Sequence, residues 1–248
     1  MRQHDAMLRD EMAGAAVEAA GGSQDLTRIP FLRGLSPEMA RRYAGAARWF
    51  ALEPGQEVIG FEEVSDDVFF VLTGSVRIAV RTSGGQELIL DDIPAGQFFG
   101  EMAAIDGAPR SASVTALYRS SICRIQGAAF MALLADSPLL ARQMMRLLVG
   151  RIRLQNARLL ERTAFDVGQR LQAELLRLAG PPAADGTRTI SPPPVQQVIA
   201  QRIGARREAV SREMARLLRE GILLRRRGAL VLCHPALLER AVAEALES

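Results

Sequence analysis

Between Trp49 and Ile125 the chain is a series of short apolar stretches cut at turn positions by glycine, and from Ser137-Pro138 onward the apolar residues recur with a helical period. This change of period constrains the fold more than any other feature, because strand and helix patterns cannot substitute for one another. Phe69-Phe70-Val71-Leu72 reads as a strand buried on both faces, and Val76, Ile78 and Val80 alternate. Glu53-Pro54-Gly55-Gln56 is a turn, Ser83-Gly84-Gly85 marks a hairpin, and Leu88-Ile89-Leu90 pairs back. Short strands at regular spacing predict an antiparallel barrel or roll. Ahead of them, Ser36 as N-cap and Pro37 at the first helical position open a helix expected to reach about Ala47.

Ser137-Pro138 repeats the same start signal and opens the longest helical pattern in the chain. Leu140, Met144, Leu148, Ile152, Gln155 and Leu159 form one stripe, expected to face a second copy. Leu147 and Leu154 form a second row, available for packing on the helix's own domain. The polar pair Gln155-Asn156 interrupts the stripe and reads as a ligand contact or a register device, since a buried polar group needs a partner. Asp166-Val167-Gly168-Gln169 has the form of a capping box, placing a new helix and a hinge just after Phe165. That helix stops at Gly180-Pro181-Pro182, and Ala183 to Pro194 is expected to be a loop. Val195–Arg202, a tight Ile203-Gly204-Ala205 and Arg206–Glu220 make a helix-turn-helix pattern. Ile222-Leu223-Leu224 and Leu230-Val231-Leu232 flank Arg226-Arg227-Gly228 as a hairpin or wing, and Pro235 to Leu246 is helical. Residues 1–26 form an extension expected to be poorly ordered.

Composition narrows the chemistry. All 31 basic residues are arginine, so lysine-dependent Schiff-base catalysis is excluded. The two cysteines, Cys123 and Cys233, and the two histidines, His4 and His234, form no metal-ligand spacing. No base, nucleophile and metal set converge, which argues against an enzyme. No apolar run is long enough to span a membrane. Asp5, Asp10, Glu11 and Glu18 interrupt the first residues and argue against a signal peptide, so a cytoplasmic protein is expected.

Two stretches carry the functional signal. In the first, Phe98 to Val114, Gly100 permits close backbone approach to a ligand, and Met102-Ala103-Ala104 follow Glu101 with little side-chain bulk at the alanines. Arg110 and Ser111 then offer a planar donor fork and a hydroxyl suited to phosphate, while Glu101 suits a ribose hydroxyl that donates to it. Phe99-Gly100-Glu101 followed by Pro109-Arg110-Ser111-Ala112-Ser113-Val114 resembles the phosphate-binding cassette of cyclic-nucleotide-binding domains. The resemblance implies that Glu101 takes the ribose 2′-hydroxyl, Arg110 the cyclic phosphate and Ser111 a further hydrogen bond.

The second stretch is Arg207-Glu208-Ala209-Val210-Ser211-Arg212, where Arg207, Glu208 and Arg212 share a helical face. Arginine can bind guanine O6 and N7, and a carboxylate can accept from cytosine N4. The stretch is similar to the recognition helix of the CRP/FNR regulator family, and with it the likeness covers about residues 25–233. This implies an α+β chain with an N-terminal antiparallel β-roll (27–136), a dimerisation helix and hinge (137–165) and a C-terminal winged helix-turn-helix (166–248). It implies base reading by Arg207, Glu208 and Arg212 near Ser211, and phosphate holding by Arg206, Arg226 and Arg227. A cyclic nucleotide, cAMP first and cGMP second, is the implied effector, with Gln155 and Asn156 as further ligand contacts and no metal. Partners implied are palindromic double-stranded DNA, a second copy of the chain and RNA polymerase. The alternative is a regulator of this family with a vestigial pocket, acting without a nucleotide or on another ligand. Ala205-Arg206 stands where the family has a Ser or Thr cap, and Pro192-Pro193-Pro194 opens the preceding helix without the usual Thr.

Overall fold

The computed structural model describes residues 25–81 and 87–247. The expected hairpin turn at Ser83-Gly84-Gly85 and most of the N-terminal extension lie outside them. The chain divides into two compact units with the boundary after Leu147.

In the first unit, Ser36 Oγ accepts from the Met39 amide at 3.2 Å and opens α1 (Pro37–Ala44). The helix is shorter than its sequence signal, because Ala47 already pairs with Ile125 in the first strand. The strands are β1 (Ala47–Leu52), β2 (Glu57–Ile59), β3 (Val68–Thr73), β4 (Ser75–Arg81), β5 (Glu87–Pro94), β6 (Phe98–Phe99), β7 (Ser113–Ala116) and β8 (Ser120–Ile125), with α2 (Glu101–Asp106) between β6 and β7. They form two four-stranded antiparallel sheets, ordered β1-β8-β3-β6 and β2-β7-β4-β5. Successive side chains of a strand point to opposite faces. Phe69 and Phe99 accordingly stack at 5.1 Å on the inner face, among Phe50, Val76, Ile93 and Ile122. Phe70 and Phe98 point the other way and meet Phe31 and Phe130. The sheet is buried on both faces, which explains the unbroken apolar run in β3.

Phe130 belongs to α3 (Gly127–Asp136), a helix without a clear start signal: its N-cap position, Gln126, makes no side-chain cap bond. Turn glycines hold the roll's corners. Gly55, Gly74 and Gly96 have φ of 84°, 78° and 88°, conformations costly for any residue with a Cβ. At Gly74 a Cβ would also lie 2.2 Å from Ser120 Oγ.

Ser137 Oγ accepts from the Leu140 amide at 3.4 Å at the start of α4 (Pro138–Ala164). Along it burial takes only the start of the first row, and the second row is not covered as expected. Leu140 and Met144 are buried, whereas Leu147 and Leu154 are exposed together with Ile152 and Leu159.

In the second unit Asp166 and Gln169 exchange side-chain bonds with each other's amides at 2.8 and 2.9 Å, the expected capping box, and start α5 (Val167–Leu178). Next come β9 (Arg188–Ile190), α6 (Gln196–Ile203), α7 (Arg207–Arg219), β10 (Leu223–Arg226), β11 (Ala229–Leu232) and α8 (Pro235–Glu247). The strands form an antiparallel sheet in the order β10-β11-β9. β9 lies in the stretch expected to be only loop; its residues are strand because they pair with Leu230–Leu232. The core gathers Leu171, Leu175, Ile199, Val210, Leu217 and Leu230. Phe165, at the expected hinge, is buried against Ala173 of α5 and Val242 and Ala245 of α8.

Candidate functional sites

The first site is built at the start of α2. Gly100 caps the helix in the left-handed region at φ 85°, where its carbonyl and the following residues turn sharply. A Cβ there would come within 2.7 Å of the Asp67 carbonyl and 2.9 Å of Arg110 Nη1, so the position admits only glycine. Glu101 and Arg110 are both buried, at 3% and 4% exposure. Arg110 donates from Nε to Ser65 Oγ at 2.9 Å, from Nη1 to the Gly100 carbonyl at 2.8 Å and from Nη2 to the Asp67 carbonyl at 2.8 Å. Its backbone is pinned as well: its amide donates to Glu63 and its carbonyl accepts from Glu62, each at 3.0 Å. Burial pulls its pKa down, opposed by the charges of Glu63, Asp67, Asp66 and Glu101. The remaining N–H group on each terminal nitrogen leaves a fork for an anion. Ala103 is buried, Met102 is exposed, and the exposed Ser111 hydroxyl lies 3.8 Å from Met102 Sδ.

Gly100, Glu101, Met102, Ala103, Arg110 and Ser111 are thus brought together, as the sequence expects. Ser65 and Asp67, which anchor Arg110, were missed. They precede it by 45 and 43 residues, and neither carries a local motif. Gln155 and Asn156 lie in the second unit and are exposed on α4.

The second site is α7. Val210, Met214 and Leu217 are buried on its inner face, which leaves Arg207, Glu208 and Arg212 exposed and Ser211 half-buried on the others. Arg216 is not part of that free face, because it binds Glu213 and Glu220, each at 2.9 Å. Gly204, at φ 63°, makes the tight turn from α6. Arg206 takes the N-cap position without a side-chain cap bond, as its sequence implies. Arg226 ends β10, Arg227 and Gly228 form the turn of the wing, and both arginines are exposed.

The family model for the cyclic nucleotide-binding domain matches residues 49–137, and that for the Crp-like helix-turn-helix domain matches residues 169–241. The chain belongs to the CRP/FNR family. A CRP-like cAMP-activated global transcriptional regulator of Mycobacterium tuberculosis is 27% identical over 77% of this chain and 86% of its own length. The cAMP-activated global transcriptional regulator CRP of Haemophilus influenzae is 29% identical over 86% of this chain and 99% of its own. Among solved structures, FixK2 from Bradyrhizobium japonicum shares the fold with a TM-score of 0.68 at 22% identity, over 79% of this chain and 96% of its own. This CRP/FNR protein is therefore a transcription regulator with a cyclic-nucleotide-binding domain and a DNA-binding helix-turn-helix. Burial pushes the Cys123 thiol up to about 12, which leaves it inert as a nucleophile. Among the described residues no helix is long and apolar enough to cross a membrane.

Proposed function

We propose that this CRP/FNR regulator is a homodimer whose sequence-specific DNA binding is switched by a cyclic nucleotide held in the β-roll, cAMP in preference to cGMP. The observation that supports this reading is that Glu101 and Arg110 are both buried next to Gly100, whose carbonyl accepts from Arg110 Nη1 at the point where α2 begins with Glu101. In this reading Arg110 takes the cyclic phosphate through its remaining N–H groups and Glu101 accepts from the ribose hydroxyl. Ser111, Met102 and Ala103 line the ligand, and Gln155 and Asn156 on α4 complete its contacts. Exposed Ile152 and Leu159 supply the seam between two copies. The effector acts as a two-state shift: it must bind the DNA-competent arrangement more tightly than the other, with Phe165-Asp166 as the pivot. Arg207 and Arg212 read guanines and Glu208 a cytosine, in half-sites about one helical turn apart. Arg206, Arg226 and Arg227 hold phosphates. RNA polymerase is the further partner, and the cytoplasm the site of action.

Calorimetric titration of nucleotide-stripped protein with cAMP and cGMP, combined with selection from random duplexes, tests this reading. Saturable binding, tightest for cAMP, and enrichment of a palindrome only when nucleotide is present are expected. Glu208→Ala should relax selectivity at one base pair by about 1–3 kcal/mol. Leu159→Glu should give a monomer by sedimentation with the roll still folded. Equal DNA affinity with and without nucleotide refutes the switch and leaves the vestigial-pocket alternative.

A further inference from the structure

The second unit contains a charged recess that base reading and effector binding do not use. It lies where the C-terminal part of α4 meets α5 and the end of α6, and five arginines, two glutamates and Ile203 line it. Both carboxylates are already engaged. Glu174 is buried between Arg177 at 3.3 Å and Arg202 at 3.4 Å, and Glu161 of α4 pairs with Arg177. Arg162 and Arg170 also line it and add positive charge, with no third carboxylate in the lining. Arg170 donates from Nη1 to the Ile203 carbonyl at 3.0 Å, yet its Nε is buried with no acceptor. An orphaned guanidinium N–H is expensive, because the group has lost water without gaining a partner. Arg162 is exposed at the rim.

We infer that this recess is an anion site that takes a phosphate dianion on Arg162 and Arg170, either as free phosphate or as the terminal phosphate of a small metabolite. A planar guanidinium fork matches two oxygens of a phosphate, and the local excess of positive charge favours a dianion over a neutral occupant. A water would satisfy Arg170 Nε but leave that excess charge uncompensated. The enclosed space is about 20 Å³, room for roughly one water-sized group. One phosphate oxygen therefore enters while the rest sits at the open mouth, and a whole nucleotide is not engulfed. An anion held there ties α4 to α5 and to α6, the first helix of the helix-turn-helix, and so gives the DNA-binding half an input separate from the β-roll.

The test uses the full chain at fixed ionic strength with chloride as the balancing ion, titrated with inorganic phosphate and, separately, with 5′-AMP. Binding is read by calorimetry and by the thermal midpoint. Saturable binding of at least one of the two is expected. It should be unchanged in Arg110→Ala, which marks it as independent of the roll. It should be weakened at least tenfold in Arg162→Gln, an exposed position whose loss leaves the fold intact, and in Arg170→Gln. Saturation by inorganic phosphate identifies the free ion, and saturation by 5′-AMP alone identifies the terminal phosphate of a metabolite. A response linear in concentration for both ligands, or one kept in Arg162→Gln and lost in Arg110→Ala, overturns the site.

Discussion

Replacing Arg110 by alanine separates two jobs that the sequence merges into one. In the structure this arginine is a strut before it is a ligand contact. Its fork ties the loop after β2, through Ser65 and the Asp67 carbonyl, to the Gly100 carbonyl at the start of α2. Hydrogen bonds to charged groups contribute about 1.5–3 kcal/mol each, but they do not add, and the acceptors left behind regain some solvent. Removing the cation also withdraws its favourable charge from Glu63, Asp66, Asp67 and Glu101, while Asp67 keeps Arg124 at 3.3 Å. We therefore expect Arg110→Ala to destabilise the unliganded first unit by about 2–4 kcal/mol. The assay is urea unfolding followed by tryptophan fluorescence. Trp49 is the only tryptophan in the chain, and it sits in β1, so the signal reports the first unit alone. Arg110→Lys keeps the charge without the fork and should recover less than half of the loss. Added cAMP at about a hundredfold excess over Kd should stabilise the wild type by about 2.7 kcal/mol and Arg110→Ala not at all. A shift below about 0.5 kcal/mol without nucleotide, the range of an ordinary surface substitution, would refute the strut argument. It would leave Arg110 as a ligand residue only.

Two further outcomes follow from other parts of the chain. Glu62 adopts φ 61°, a left-handed conformation that costs a residue with a Cβ about 1–2 kcal/mol. Part of this is offset by the greater backbone entropy of glycine, so Glu62→Gly should raise stability by about 0.5–1 kcal/mol in the same urea assay; no gain would show that the loop relieves the strain. In the second unit burial raises the pKa of Glu174, against the lowering effect of Arg177, Arg202 and Arg158 and with a small push from Glu161. The folded state then holds this proton more tightly than the unfolded state. Its contribution to stability is full below the ordinary glutamate pKa of about 4.3 and is lost as pH rises through the raised value. Relative to Glu174→Gln, the wild type should lose stability as pH rises across that window, measured by unfolding followed in the far-ultraviolet circular dichroism. The opposite slope would mean that the arginines outweigh burial.

How much of this was legible beforehand depended on whether a signal was local. Ser36-Pro37, Ser137-Pro138 and the Asp166–Gln169 capping box each announce a helix within four residues of chain, because a cap is a bond between near neighbours. The positive φ at Gly55, Gly74, Gly96 and Gly204 is equally local. Order within the Gly100–Ser111 run and on the α7 face was readable for the same reason: the chemistry lies on adjacent turns. Tertiary structure alone decided the rest. β9 is a strand only because β11 pairs with it, and α1 stops early because Ala47 is claimed by β8. Periodicity marked two apolar rows on α4, but period alone cannot say which row a neighbour will cover, and burial fell on Leu140 and Met144. The anchors of Arg110 and the arginine recess around Glu174 join residues distant in sequence. Charges at such separations act on one another only after folding has brought them together and removed the water that would screen them.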